Sequence, residues 1–218
     1  LVGKNVFLMT EPENGTPSFY AGFAPVLQGF AASGGTIIIC GGDAAQSACV
    51  FNTGLFSGAY AANGNGATLT IVDPTHPILT GVTAPFTGTN ATFVLNLSNV
   101  DAVPLVSYLN NEAVAYRAIG SGHAIYIAFD YFATSNNANR IVSNAVQWAQ
   151  TNSMPVWIDT DPDSMTVTPG DTSYIYVTLN SSGLNAGTYT YDIVILTNDP
   201  LHPTDTIPVT MNVTGSPV

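Results

Sequence analysis

Positive charge is nearly missing from this sequence of 218 residues. Lys4, Arg117 and Arg140 are its only basic side chains besides three histidines, against 14 acidic residues, for a net charge of −11. Nucleic-acid binding needs clustered Lys and Arg to displace counterions from phosphates, and docking to an anionic membrane needs the same. Both classes of partner are excluded. Charge of either sign is scarce: 8% of residues, against roughly 25% in an ordinary soluble domain. No apolar run reaches the roughly 18–20 residues that span a bilayer as a helix, so membrane insertion is not expected. Cysteine is limited to Cys40 and Cys49.

Polarity comes instead from 41 Ser and Thr and 19 Asn. A hydroxyl- and amide-rich surface with few sites for a trypsin-like protease suits an extracellular or cell-surface protein, and that location is the expectation. Two cysteines in such a setting are usually paired. The nine-position spacing, with Gly41 and Gly42 between, lets Cys40 and Cys49 close a disulfide, worth roughly 2–3 kcal/mol by loop entropy. Asn14, Asn90, Asn96, Asn180 and Asn212 each fit the glycosylation pattern. Five is close to what chance gives a chain this rich in Asn, Ser and Thr. The first residues carry neither an initiating Met nor a signal-peptide layout, and the expectation is a mature product or a piece of a longer protein.

The texture changes near residue 152. Before it, apolar strand candidates (5–10, 36–40, 67–72, 92–97, 103–109, 112–119 and 123–129) mix with two helical patterns. Residues 17–33 place Phe19, Phe23, Val26, Leu27 and Phe30 at helical spacing, and 136–151 does the same with Ile141, Val142, Ala145, Val146 and Trp148. This predicts an α/β fold over residues 1–153, a flavodoxin-like open sheet whose N-terminal side reads as incomplete. From 154 to 218 only strands and turns are legible. Alternating runs separated by Pro169-Gly170-Asp171, Ser182-Gly183 and Asn198-Asp199-Pro200 predict a small all-β Ig-like sandwich. Within it Tyr174 and Tyr176 share a face, as do Tyr189 and Tyr191; core packing is the default, an exposed aromatic strip the alternative.

Three segments of the first part carry a family resemblance: Ser33-Gly34-Gly35-Thr36-Ile37-Ile38-Ile39-Cys40, then Val72-Asp73-Pro74-Thr75-His76-Pro77-Ile78-Leu79-Thr80-Gly81-Val82, then 119–131 ending Ala128-Phe129-Asp130-Tyr131. With Asn144-Ala145-Val146-Gln147-Trp148 they make residues 4–150 resemble the class I glutamine amidotransferase-like superfamily, in its trehalose-utilisation-type branch. The second part resembles Ig-like modules of secreted Bacteroidetes proteins, through Trp157, 164–170, 183–189 and 197–200. The first resemblance implies a nucleophilic Cys at a strand-to-helix elbow, an activating His after a late strand and an acidic residue orienting that His. Cys40 stands at such an elbow. Asp130 stands where the His belongs, and a carboxylate is a poor base for a thiol near neutral pH. His76 in a Pro-flanked turn and His123 at a strand start do not replace it. The expectation is a non-catalytic domain without a cofactor.

Two acidic groupings complete the inventory. Glu11, Glu13, Asp43 and Asp130 are candidates to line a vestigial pocket. Asp159, Asp161 and Asp163 resemble the start of a calcium loop, yet no bidentate Glu follows and Pro162 stiffens the segment; a solvated turn is the alternative. The functional expectation is a non-catalytic structural or adhesive module of a large secreted surface protein, with the repeating unit of an extracellular fibre as one form of it. Its expected partners are other copies of itself or neighbouring domains of a longer protein, with glycans as a further class. The alternative is an accessory fragment of a secreted hydrolase acting on polysaccharide or protein.

Overall fold

The computed structural model describes residues 4–10, 16–41, 49–89, 91–130, 135–153, 157–182, 184 and 186–215. They fall into two compact units, one within residues 4–153 and one within 157–215.

The larger unit begins β1 (Val6–Met9), α1 (Pro17–Ala32), β2 (Thr36–Cys40) and a short α2 (Cys49–Asn52). Six strands follow: β3 (Gly58–Asn63), β4 (Thr68–Ile71), β5 (Phe86–Thr87), β6 (Phe93–Leu97), β7 (Val103–Tyr108) and β8 (Asn111–Ile119). A single 3-10 turn at Pro77–Leu79 interrupts them, and β9 (Gly122–Ile127) and α3 (Asn136–Thr151) close the unit. The nine strands form one sheet in the order β1-β2-β9-β8-β7-β4-β5, with β6 joined to both β8 and β3.

This corrects the expected flavodoxin-like α/β sheet. Only β1, β2 and β9 run parallel; every other described pairing in this sheet is antiparallel. The result is a curled, mixed, mostly β structure. The physical reason lies between residues 53 and 135. A parallel neighbour needs a long crossover, usually a helix, and no described α-helix lies in that interval. Tight turns connect its strands instead. Leu109 and Asn110 both have positive φ (50° and 60°) between the paired residues Tyr108 and Asn111, the geometry of a type I′ hairpin. Gly120 (φ 60°) opens the two-residue turn between Ile119 and Gly122.

The core is centred on β2, where Thr36 through Cys40 are all fully buried. Flanked by β1 and β9, this strand reads as a continuous apolar run because both its faces are covered. Each of its three isoleucines contributes on the order of 1.5–3 kcal/mol of burial. Thr36 and Ser153 satisfy one another's buried hydroxyls at 2.6 Å. On α1 the buried stripe is Tyr20, Leu27 and Ala31, whereas Phe19, Phe23 and Val26 are about half exposed, so the expected helical face is rotated. Thr16 caps this helix, its Oγ1 accepting from the Phe19 amide, and α3 buries Ala138, Ile141, Ala145 and Ala149.

The smaller unit is built of strands and turns. Among the described residues it holds four strands in two two-stranded sheets: β10 (Ile158–Asp161) with β11 (Tyr176–Leu179), and β12 (Gly187–Leu196) with β13 (Thr204–Val213). Residues 165–168 form no strand. The ribbon β12–β13 is in unbroken register from Gly187↔Val213 to Leu196↔Thr204. Its centre is small: Trp157, Ile158 and Tyr189, with Trp157 and Tyr189 rings 6.1 Å apart. The tyrosines divide, Tyr189 buried while Tyr174 and Tyr176 are 72% and 70% exposed.

Candidate functional site

The sequence directs attention first to the thiols. Cys40 ends β2 and Cys49 opens α2, and both are completely buried. The expected bridge between them is not formed; each is a thiol. Packed in the core, both behave as small apolar side chains, and burial pushes the Cys49 thiol up to about 12. His123 cannot serve Cys40 as a base. In the parallel β2–β9 ladder His123 pairs with Thr36 and Cys40 pairs with Ile127, so four residues, about 13 Å along a strand, separate them.

Of the acidic pocket candidates, Asp130 is described; it lies just past β9 and is buried. Glu11, Glu13 and Asp43 lie outside the described residues, as do the glycosylation candidates Asn14 and Asn90. Asn96, Asn180 and Asn212 are exposed. Asn180 accepts from the Ser182 amide and Asn212 from the Thr188 hydroxyl. The calcium candidates are exposed as well, with Asp159 and Asp161 on β10 and Asp163 bonded to the Thr160 hydroxyl at 3.2 Å. No group of three metal-ligating side chains is gathered among the described residues.

The structure does bring together four rings that the sequence holds far apart. His76 caps the 3-10 turn, Tyr116 belongs to β8, His123 to β9 and Trp148 to α3. The His76 ring lies 4.8 Å from Tyr116 and 5.5 Å from Trp148; His123 lies 4.8 Å from Trp148, edge to face, and Tyr116 lies 5.4 Å from Trp148. All four are half-buried. His76 Nδ1 accepts from the Ile78 amide at 3.2 Å, so its neutral form carries the proton on Nε2. Burial lowers the pKa of both histidines; for His76 the nearby Asp73 pulls the other way, and for His123 a hydrogen bond to the Asn152 backbone does. His123 Nδ1 is buried without a hydrogen-bond partner. Neither ring faces a thiol or a triad partner in these contacts. Trp148 and the histidines were visible in the sequence, but nothing in the spacing joins positions 76, 116, 123 and 148.

Beside Trp148 lies a cavity of about 440 Å³, between the 3-10 turn and the last two turns of α3. Asn144, Gln147, Trp148 and Thr151 reach it from one helical face, at intervals of 3, 4 and 7 residues.

No family model matches the chain, and no curated protein matches it. Solved structures do. A cytoplasmic protein of Salmonella typhimurium aligns at 12% identity with a TM-score of 0.50, covering 66% of this chain and 71% of its own. A second Salmonella typhimurium cytoplasmic protein aligns at 12% identity and a TM-score of 0.45, over 69% and 72%. A β-galactosidase from Rahnella covers 96% of this chain with only 32% of its own length, at 14% identity and a TM-score of 0.40. At these identities the likeness concerns the fold alone. It also corrects the expected extracellular location. A neighbour of similar fold is named a cytoplasmic protein, so the fold is not confined to secreted chains, and a surface rich in Ser, Thr and Asn does not place this one outside the cell.

Proposed function

We propose that the chain is a non-catalytic structural or adhesive module, acting by presenting surface to other copies of itself. The observation that carries this reading is β11. All four of its residues are exposed, Tyr176 at 70%, Val177 at 43% and Leu179 at 44%. Among the described residues β11 pairs with β10 alone, which leaves one ladder edge to be paired by another strand. Apolar, open-edged strands of this kind are templates for strand addition. The thiols support the same reading from the other side. Where the amidotransferase-like resemblance implies a nucleophile and a base, the chain has a fully buried Cys40 and Asp130. On this view residues 1–153 are a scaffold and 154–218 the associating module.

Sedimentation velocity across a concentration series tests the proposal. The expected result is a mass rising above the 22.7 kDa of one chain. Val177→Lys with Leu179→Lys, at exposed positions, returns it to that mass without lowering the melting temperature. A chain that stays at one protomer at every concentration overturns the reading.

A further inference from the structure

We propose that the cavity between the 3-10 turn and the C-terminal half of α3 is a binding site for a neutral saccharide. The lining sets the ligand's chemistry. None of the described residues around it carries a charge, so phosphates, carboxylates and cations find no counter-ion there. One wall is the half-buried Trp148 indole, a flat apolar surface of the kind that packs against the C–H face of a sugar ring.

Two amide side chains of the lining already have their donors engaged. Asn144 Nδ2 donates to the carbonyls of Ile78 and Thr80, at 3.0 and 2.9 Å. Both its N–H groups are thereby used, and Oδ1 is left to accept. Asn152 repeats the pattern, its Nδ2 donating to the Trp148 carbonyl at 2.8 Å and the Thr151 hydroxyl at 3.1 Å, again leaving Oδ1 to accept. Two fixed carbonyl-type acceptors call for ligand O–H donors. Gln147 and Thr80, both exposed at the rim, each offer a donor and an acceptor. An apolar ligand would strip water from these amides without replacing its hydrogen bonds. A polyhydroxylated neutral ligand replaces them.

The platform is braced by neighbouring rings. His76, Tyr116 and His123 hold the indole by ring contacts of 4.8–5.5 Å. A ring fixed before binding loses little freedom when a ligand stacks on it. The volume of about 440 Å³ falls within the range of small-molecule pockets. The inference goes beyond the self-association proposed above, since it lies in the other unit and uses none of the same residues.

Proton–nitrogen correlation spectra of the full chain, titrated with methyl β-galactoside, methyl β-glucoside and cellobiose, test it. The expected result is saturable movement of the Trp148 indole N–H, and of the Thr80, Gln147 and Asn152 signals, with at least one sugar. Trp157 then stays in place. Gln147→Ala and Trp148→Phe each weaken binding by about tenfold or more, the scale of a lost hydrogen bond or stacking surface. Unmoved signals with all three sugars at saturating millimolar concentration overturn the site, and so does binding that survives both substitutions. New reducing-end signals from the methyl glycosides in the same tubes would instead refute the non-catalytic reading, so the two failures are told apart.

Discussion

Alkylation of the two cysteines puts the reading of the thiols to a quantitative test. Iodoacetamide attacks thiolate, not thiol. With its thiol pushed up to about 12, Cys49 at pH 8 is thiolate in about one molecule in ten thousand; at the ordinary value of 9.0 the fraction is about one in ten. Ionisation alone therefore slows its labelling by about a thousandfold relative to the unfolded chain. Access slows it further. Cys40 and Cys49 expose no surface, so reagent reaches them only through opening of the core, which costs up to the global stability of about 5–15 kcal/mol. The assay is intact mass against time, in native buffer and in strong guanidinium without reductant. The expected outcome is no adduct over hours in the native protein, and two adducts within minutes after unfolding. One rapid native adduct at Cys40 would reveal an accessible nucleophile and defeat the non-catalytic argument. No adduct even after unfolding would restore the disulfide.

Two further outcomes follow from local geometry. Because burial lowers the pKa of His76 and His123 in the folded chain, protons bind the unfolded chain more readily. Their contribution to stability is complete above the ordinary histidine value of 6.5 and is lost as the pH falls below it; melts between pH 8 and 5 should show the decline, with a smaller slope for His123→Phe. At the β7–β8 turn Leu109 sits at φ 50° with 67% of its surface exposed, a left-handed conformation costing a non-glycine residue roughly 1–2 kcal/mol. Replacing Leu109-Asn110 by Asn-Gly should stabilise the protein by about 1 kcal/mol and raise Tm by about 2–4 °C.

Local elements were largely legible in the sequence because their signals are local. The Thr16 cap followed by Pro17 and the Ser33-Gly34-Gly35 stop bracket α1, and the apolar run 36–40 could only be a buried strand. How those strands pair was not legible. Nothing in 68–71 or 103–108 states its direction, and the mix of two helices with apolar strands predicts a flavodoxin-like open sheet. The decisive signal was an absence: no helix-length periodicity between residues 53 and 135 to carry a parallel crossover. The rotated face of α1 has a similar origin. Phe19, Phe23 and Val26 satisfy a helical period as well as Tyr20, Leu27 and Ala31 do, and only packing against the sheet selects the second set.

The site was less legible than the fold for a different physical reason. The thiol reading relied on short sequence motifs, and a motif fixes residue types without fixing burial. Cys40 is at the end of its strand as expected, yet it is sealed inside the core. The ring cluster relies on the reverse situation. Positions 76, 116, 123 and 148 come from a turn, two strands and a helix, and they meet because β8 and β9 are hairpin neighbours while α3 lies against the turn that His76 caps. Each ring alone reads as ordinary packing. Recognition chemistry arises from the junction, where Asn144 spends both its donors tying helix to turn and thereby holds an acceptor at the edge of an aromatic wall. A side chain placed there to secure the fold is thus also what gives the cavity its preference for hydroxyl donors.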